Sequence, residues 1–213
     1  GTSEVFTVTN NASADYRNET VQTSKLPAKK PDEFRLVTIT SFYPHKNLDL
    51  IPQVLDVLRK HGRANLSFVL TLKPEDFERH FPDHPPGLVN VGAVKPSECP
   101  ALYQECDALF LPTLAECFSA SYPEAMLMEK PIITTDLGFA RGICGEAALY
   151  FKPKDAVDAA VQIGRLLDEA ELGNKLIAHG KEQLQTFDLP EKRAEKYLEL
   201  ALKLHRKQAL KGS

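Results

Sequence analysis

From Phe34 onward, short apolar runs alternate with stretches of helical period. Arg35-Leu-Val-Thr-Ile-Thr40 is a β-branched run that reads as a strand. Leu50, Ile51, Val54, Leu55 and Leu58 then fall on one face of a helix. Asn47 or Asp49 can cap that helix, and His61-Gly62 is an ordinary stop. The pattern next predicts a strand over Leu66–Leu72, a short helix over Glu75–His80, a strand over Leu88–Val91 and a helix over Ser97–Glu105. Ala108–Pro112 reads as a strand, Ser121–Glu129 as a helix, Pro131–Thr135 as a strand and Ala148–Phe151 as the last strand. Helices over Ala156–Leu167, Glu171–Gln185 and Pro190 to about Ala209 follow.

Strands that are apolar throughout, rather than alternating, belong to a parallel sheet covered on both faces. Interleaved with amphipathic helices, they predict an α/β fold, a doubly wound Rossmann-like parallel sheet flanked by helices. Residues 34–188 are expected to form this domain, and residues 189–213 an amphipathic basic helix. Residues 1–33 differ. Glu4–Thr9 reads as one short strand, but Asn10–Asp32 is polar, without an apolar period, and reads as a linker. An orphan strand ahead of a long linker predicts the end of a preceding domain.

Composition narrows the function classes. With 213 residues, 43% of them hydrophobic, the chain can bury one large core and is not wholly disordered. The net charge of -3 supplies no global basic field, so no nucleic-acid partner is expected. The longest apolar stretches, such as Ala108–Pro112, fall far short of the roughly 18 to 20 residues that span a bilayer. No secretory leader is visible, and a cytoplasmic location is expected. Cys99, Cys106, Cys117 and Cys144, spaced by 7, 11 and 27 residues, match no zinc pattern and are expected to be free thiols.

A doubly wound sheet binds ligands beyond the C-terminal ends of its strands, so the residues just after each strand carry the candidate chemistry. No G-x-G-x-x-G follows the first strand and no G-x₄-G-K-[ST] occurs, which argues against a nicotinamide dehydrogenase or a P-loop ATPase. No Asp-x-Asp pair offers itself to a metal-bound diphosphate. After the first strand comes Thr40-Ser-Phe-Tyr-Pro-His-Lys46-Asn47. Lys46, two hydroxyls and free amides there would suit a phosphate, although a solvated loop lysine explains the residue equally well. After Ala108–Pro112, Glu116 and Glu124 bracket seven residues, and two carboxylates at such a place suit a hydroxyl-rich ligand. Glu124 also has a purely structural explanation, because Ser121-x-x-Glu124 is a capping box.

Together these residues resemble the C-terminal, nucleotide-sugar-binding half of a family-4 retaining glycosyltransferase of the two-domain GT-B architecture. The resemblance runs from about Phe34 to Tyr197. Its most specific element is the E-x₇-E motif from Glu116 to Glu124, followed by Ala125-Met126. Lys46-Asn47 matches the family's Lys-Gly/Asn, Leu88–Val94 resembles its base-recognition loop, and Cys144–Pro153 its penultimate segment. The resemblance implies a nucleotide-diphosphate-sugar donor, with Lys46 on the diphosphate, Glu124 on the ribose hydroxyls and Glu116 on the transferred sugar. It makes Glu116 and Lys46 the catalytic pair. Thr40, Ser41, Val94, Phe118, Ser119 and Ala120 complete the donor site, Val94 near the base and Phe118 and Ser119 through their amides. It further implies that no metal or cofactor is needed. A sugar or lipid-linked acceptor would be held by an N-terminal domain, in polysaccharide or glycoconjugate synthesis at the inner face of the membrane.

The chain departs from the family at Thr40-Ser41, where Gly-Arg is usual, at Cys117-Phe118-Ser119, where Gly-Phe-Gly is usual, and at Arg141, where a Pro-Glu pair is common. The missing arginine and glycines keep open a non-catalytic nucleotide-sugar-binding module, and the scaffold would also serve another enzyme, such as a sugar-nucleotide epimerase. The basic last helix reads as a solvated face, or as a peripheral contact with anionic lipid.

Overall fold

The computed structural model describes residues 8, 10–12, 16, 26–188 and 190–209. The strand expected over Glu4–Thr9 lies outside these residues, except for Val8, which is in no strand. The elements are β1 (Phe34–Thr38), α1 (Leu50–Lys60), β2 (Leu66–Leu70), α2 (Pro74–His80), β3 (Leu88–Asn90), α3 (Cys99–Glu105) and β4 (Ala108–Leu111). They continue with α4 (Ser121–Leu127), β5 (Ile132–Thr135), α5 (Gly138–Cys144), β6 (Ala148–Phe151), α6 (Ala156–Asp168), α7 (Leu172–Leu184) and α8 (Pro190–Ala209).

All five strand pairings are parallel, in the order β3-β2-β1-β4-β5-β6. Leu36 sits between Phe68 on one side and Ala108 on the other. The order reverses between β1 and β4, so the loops leaving these neighbours diverge to opposite faces and open a crevice at their C-terminal ends.

The continuous burial expected of the strands is present: every residue of β4 and β5 is buried. Alternate side chains feed two cores. Leu36, Phe68 and Phe110 pack with the α1 face of Ile51, Val54, Leu55 and Leu58 and with Ile163 of α6. Phe68 meets Phe110 edge-on at 5.0 Å, and Phe110 stacks on Phe151 at 5.4 Å. Val37, Val69 and Leu109 point the other way, to Leu102, Tyr122, Ala125 and Ile143.

Three expectations need correction. The sequence pattern assigns no element to Gly138–Cys144, where the structure has the helix α5. It forms because Ala140, Ile143 and Cys144 recur at helical spacing and bury against the second core. The β1 and β2 strands stop short of Thr40 and Leu72, because side chains replace the ladder there. Thr71 Oγ1 accepts from the Thr40 amide at 2.9 Å, and Asn90 Oδ1 accepts from the Leu72 amide at 2.9 Å. Neither candidate caps α1 with its side chain. Asp49 makes no capping bond, and Asn47, left-handed at φ 53°, instead closes the short turn Pro44–Lys46 through its own amide. Asparagine tolerates that conformation where most side chains do not.

Candidate active site

The loops after β1 and β4 are tied together at the switch point. The Leu114 amide donates to the His45 carbonyl at 2.7 Å. The buried Thr113 hydroxyl has one proton and three acceptors at 3.3 Å: the carbonyls of His45 and Ala115, and Glu116 Oε1. Thr135 Oγ1 donates to the Thr113 carbonyl at 2.6 Å, which anchors the loop to β5. Threonine hydroxyls satisfy carbonyls that the ladder has released, so the loop can leave the sheet without unpaired groups.

This frame brings Lys46 and Glu116 together. The Lys46 ammonium donates to Glu116 Oε1 in a partly buried ion pair, with side-chain exposures of 17% and 13%. Lys46 is therefore not a solvated loop lysine. It is held by a carboxylate 70 residues away. Beside it, Asn47 Nδ2 is buried without a hydrogen-bond partner among the described residues.

Glu124 lies in a neighbouring cleft of about 320 Å3. Thr40, Ser41 and Val94 line the same cleft, together with Ser121, Thr71 and Tyr16. Gly92, at φ 79°, makes the left-handed turn that carries the chain from β3 to Val94. The capping box is not formed. Ala120 is the N-cap of α4, Ser121 is already helical, and no side chain caps the helix. The Glu124 carboxylate reaches across to α3 instead, where the Tyr103 hydroxyl lies 3.5 Å from Oε2. The Tyr16 hydroxyl also hydrogen-bonds it. Burial raises the Glu124 pKa above the usual carboxylate value, and these two hydroxyls oppose that rise.

Glu116 and Lys46 are not in the wall of this cleft, so the predicted residues form two adjoining groups at one end of the sheet. Phe118, Ser119 and Ala120 lie in the loop between Glu116 and α4. The Phe118 ring packs edge-on against Phe187 at 6.1 Å, so its side chain anchors the loop. The carbonyls of Ser119 and Ala120 accept from Tyr122 and Glu124 of the first turn of α4. Arg141 is elsewhere, paired with Asp136 and lying 4.3 Å over the Tyr150 ring. Sequence reasoning missed Tyr16, Thr71, Tyr103 and Thr113. Their roles arise only from long-range pairing, and no local pattern marks them. All four cysteines are free thiols, and only Cys117 is exposed. Among the described residues no three His, Cys, Asp or Glu side chains converge as metal ligands. No helix among them is long and apolar enough to cross a membrane.

The family described as glycosyl transferases group 1 matches residues 33–169 of the chain. No curated protein matches it. Among solved structures, a point mutant of S. aureus TarM in complex with Fondaparinux, alpha-GlcNAc-glycerol and UDP is similar at 16% identity and a TM-score of 0.72, covering 93% of this chain and 40% of that one. Sucrose-phosphate synthase from Thermosynechococcus elongatus is similar at 19% identity and a TM-score of 0.70, covering 94% and 52%. Anabaena HepE in complex with UDP-glucose is similar at 16% identity and a TM-score of 0.68, covering 80% and 49%. At such identities the likeness is one of fold. This chain spans between 37% and 52% of the length of the similar structures.

Proposed function

The chain belongs to the glycosyl transferases group 1, and from that premise we propose that residues 34–188 are the donor-binding half of a retaining GT-B glycosyltransferase. The observation that carries this reading is the convergence of the loops after β1 and β4. It gathers one cation, two carboxylates and a hydroxyl-lined cleft at the switch point. The donor is a nucleoside diphosphate sugar. The TarM and HepE complexes contain UDP or UDP-glucose, so a uridine diphosphate sugar is the first to try.

In the resting chain Glu116 neutralises Lys46. The donor diphosphate, with its higher charge, takes Lys46 from this carboxylate and releases Glu116 toward the transferred sugar. The amides of Phe118 and Ser119 and the hydroxyls of Thr40 and Ser41 add donors where an arginine is usual in the family. Glu124 accepts from the ribose hydroxyls, and backbone groups near Val94 face the base. Charge then develops on the leaving diphosphate as the glycosidic bond breaks, and Lys46 stabilises it. The acceptor hydroxyl attacks the same face of the sugar, from a preceding domain that closes over the donor and excludes water. No metal takes part in this scheme. The reaction belongs to polysaccharide or glycoconjugate synthesis on the cytoplasmic side of a membrane.

The direct test is calorimetric titration of the chain, without added metal, against UDP, GDP, ADP and their common sugar conjugates. One nucleotide is expected to bind, more weakly in Lys46→Ala and Glu124→Ala. In the longer protein with its acceptor domain, Lys46→Ala or Glu116→Ala should lower turnover by about 10² to 10³, the usual cost of one lost electrostatic contact. Undiminished turnover in either variant would refute the assignment. Donor binding without transfer, even in the longer protein, would favour the non-catalytic module. An altered sugar nucleotide formed without an acceptor would favour the epimerase.

A further inference from the structure

Glu124 is a half-buried carboxylate in a cleft whose described lining includes no lysine or arginine. Three separate parts of the chain meet at it. Glu124 is on α4, Tyr103 on α3, and Tyr16 comes from the segment ahead of the domain. Tyr103 is fully buried and Tyr16 is 9% exposed, and their rings meet edge-on at 5.9 Å. The Tyr103 hydroxyl carries one proton and lies 3.3 Å from the Ser121 carbonyl and 3.5 Å from Glu124 Oε2. Phenylalanine would fill either place equally well. A phenol buried there costs free energy unless its hydroxyl has a partner, and for both rings that partner includes Glu124.

An ionised carboxylate has about four acceptor positions. We propose that Tyr103 and Tyr16 are positioning residues, which fill two positions of the Glu124 carboxylate and fix it so that the other two face the cleft and accept from a vicinal diol. The diol is that of a nucleotide's ribose, so the inference rests on the donor-binding reading above. The titratable groups that share the cleft or a hydrogen bond with the carboxylate are Tyr103, Tyr16 and, at the start of α3, Cys99. The neighbouring β4, β5 and α7 bring no charge that shifts it. Burial pushes both phenols above the usual phenol value, so of these groups the carboxylate is the one that titrates at the lower pH. Each phenol hydrogen bond favours the ionised form. Losing one therefore raises the Glu124 pKa, and the diol-accepting form disappears at a higher pH.

Two measurements test this separately from the donor reading. In the first, the chain is labelled with 13C at its glutamate carboxyls, the Glu124 resonance is identified by its loss in Glu124→Gln, and its titration is followed by NMR. Tyr103→Phe and Tyr16→Phe should each move the midpoint upward by about one unit. An unchanged midpoint in both variants overturns the proposal. If Tyr103→Phe does not fold, Tyr16→Phe reads out the same carboxylate from the segment ahead of β1. In the second, UDP, GDP and ADP are titrated at pH 6 and pH 8 beside their 2′,3′-dideoxy counterparts. The phenylalanine variants should weaken the ribose nucleotide about tenfold at pH 6 and leave the dideoxy analogue little changed. Equal losses for both would mean a merely structural role and would overturn the inference. Wild-type chain that binds no nucleotide would overturn the donor reading and the diol with it, while the NMR titration still judges the link between the tyrosines and Glu124.

Discussion

Arg35 carries its charge on β1 at 2% exposure. Its Nη2 donates to Glu33 at 3.0 Å and to the Pro27 carbonyl at 2.9 Å, while Nη1 is buried without a hydrogen-bond partner among the described residues. Glu33 also accepts from Ser67 Oγ at 2.7 Å and from the Lys30 amide at 2.9 Å. The Arg35 hydrogen bond is the main cause that lowers the Glu33 pKa from 4.5 to about 2. A carboxylate lowered in the folded state binds fewer protons folded than unfolded, so its stabilisation is complete above the unfolded value. It is lost as pH falls through the folded one. Acid should therefore weaken the wild-type chain between pH 4.5 and about 2, and Glu33→Gln should flatten that part of the profile. Urea midpoints across this range decide the matter, and an equally steep acid limb in Glu33→Gln would count against the pair. Nothing in Arg35-Leu-Val-Thr marks the arginine as buried. A charge within a strand run is legible, but the carboxylate, the hydroxyl and the carbonyl that permit its burial are assembled by folding.

At the scale of elements, the connection from β6 to α6 is set by two aspartates. Asp155, with extended backbone, accepts from the Asp158 amide at 2.9 Å, and Asp158 accepts from the Lys152 amide at 2.8 Å. The cap fixes where α6 begins and so aligns Ala159, Ala160 and Ile163 with the core. Asp155→Ala should cost about 1 kcal/mol, the usual value of a side-chain cap, in denaturant unfolding. A loss within error would mean that packing alone sets the start of α6. The contrast with α1 and α4 is instructive. Asp49 and Ser121 precede apolar helical periods just as Asp155 does, but neither side chain makes the capping bond. The α1 face of Ile51, Val54, Leu55 and Leu58 was legible because its apolar spacing is a property of the helix itself. The cap was not, because it depends on the direction from which the chain enters, and at α1 that direction is set by the left-handed Asn47.

At the scale of the molecule, the two cores enclose the sheet between α1 and α6 on one side and α3, α4 and α5 on the other. The last helix stands apart. None of its described side chains is buried, and Tyr197, Leu198, Leu202 and Leu204 are 47% to 63% exposed. Its ties to the rest of the chain include Lys196 with Asp188, at 2.6 Å, and Arg193 with Asn10. Removing residues 190–213 should leave cooperative thermal unfolding intact and shift its midpoint by only about 2 °C, since surface contacts of this kind contribute about 1 kcal/mol or less. A collapse of the transition would show that α8 supports the core.

The sequence by itself determined the alternation of strands and helices, the parallel sheet and the end of that sheet at which the candidate residues lie. These are recorded in spacing and apolar content over short windows, and burial acts on them directly. It also marked Lys46, Glu116 and Glu124, because motif order along the chain survives without knowledge of contacts. Only the tertiary structure decided what those side chains touch. Lys46 finds a carboxylate 70 residues away, and Glu124 turns from its own helix end to a tyrosine 21 residues earlier. The physical reason is that a buried charge or hydroxyl must be paired, and the nearest partner in space is chosen by how the strands order themselves, not by distance along the chain.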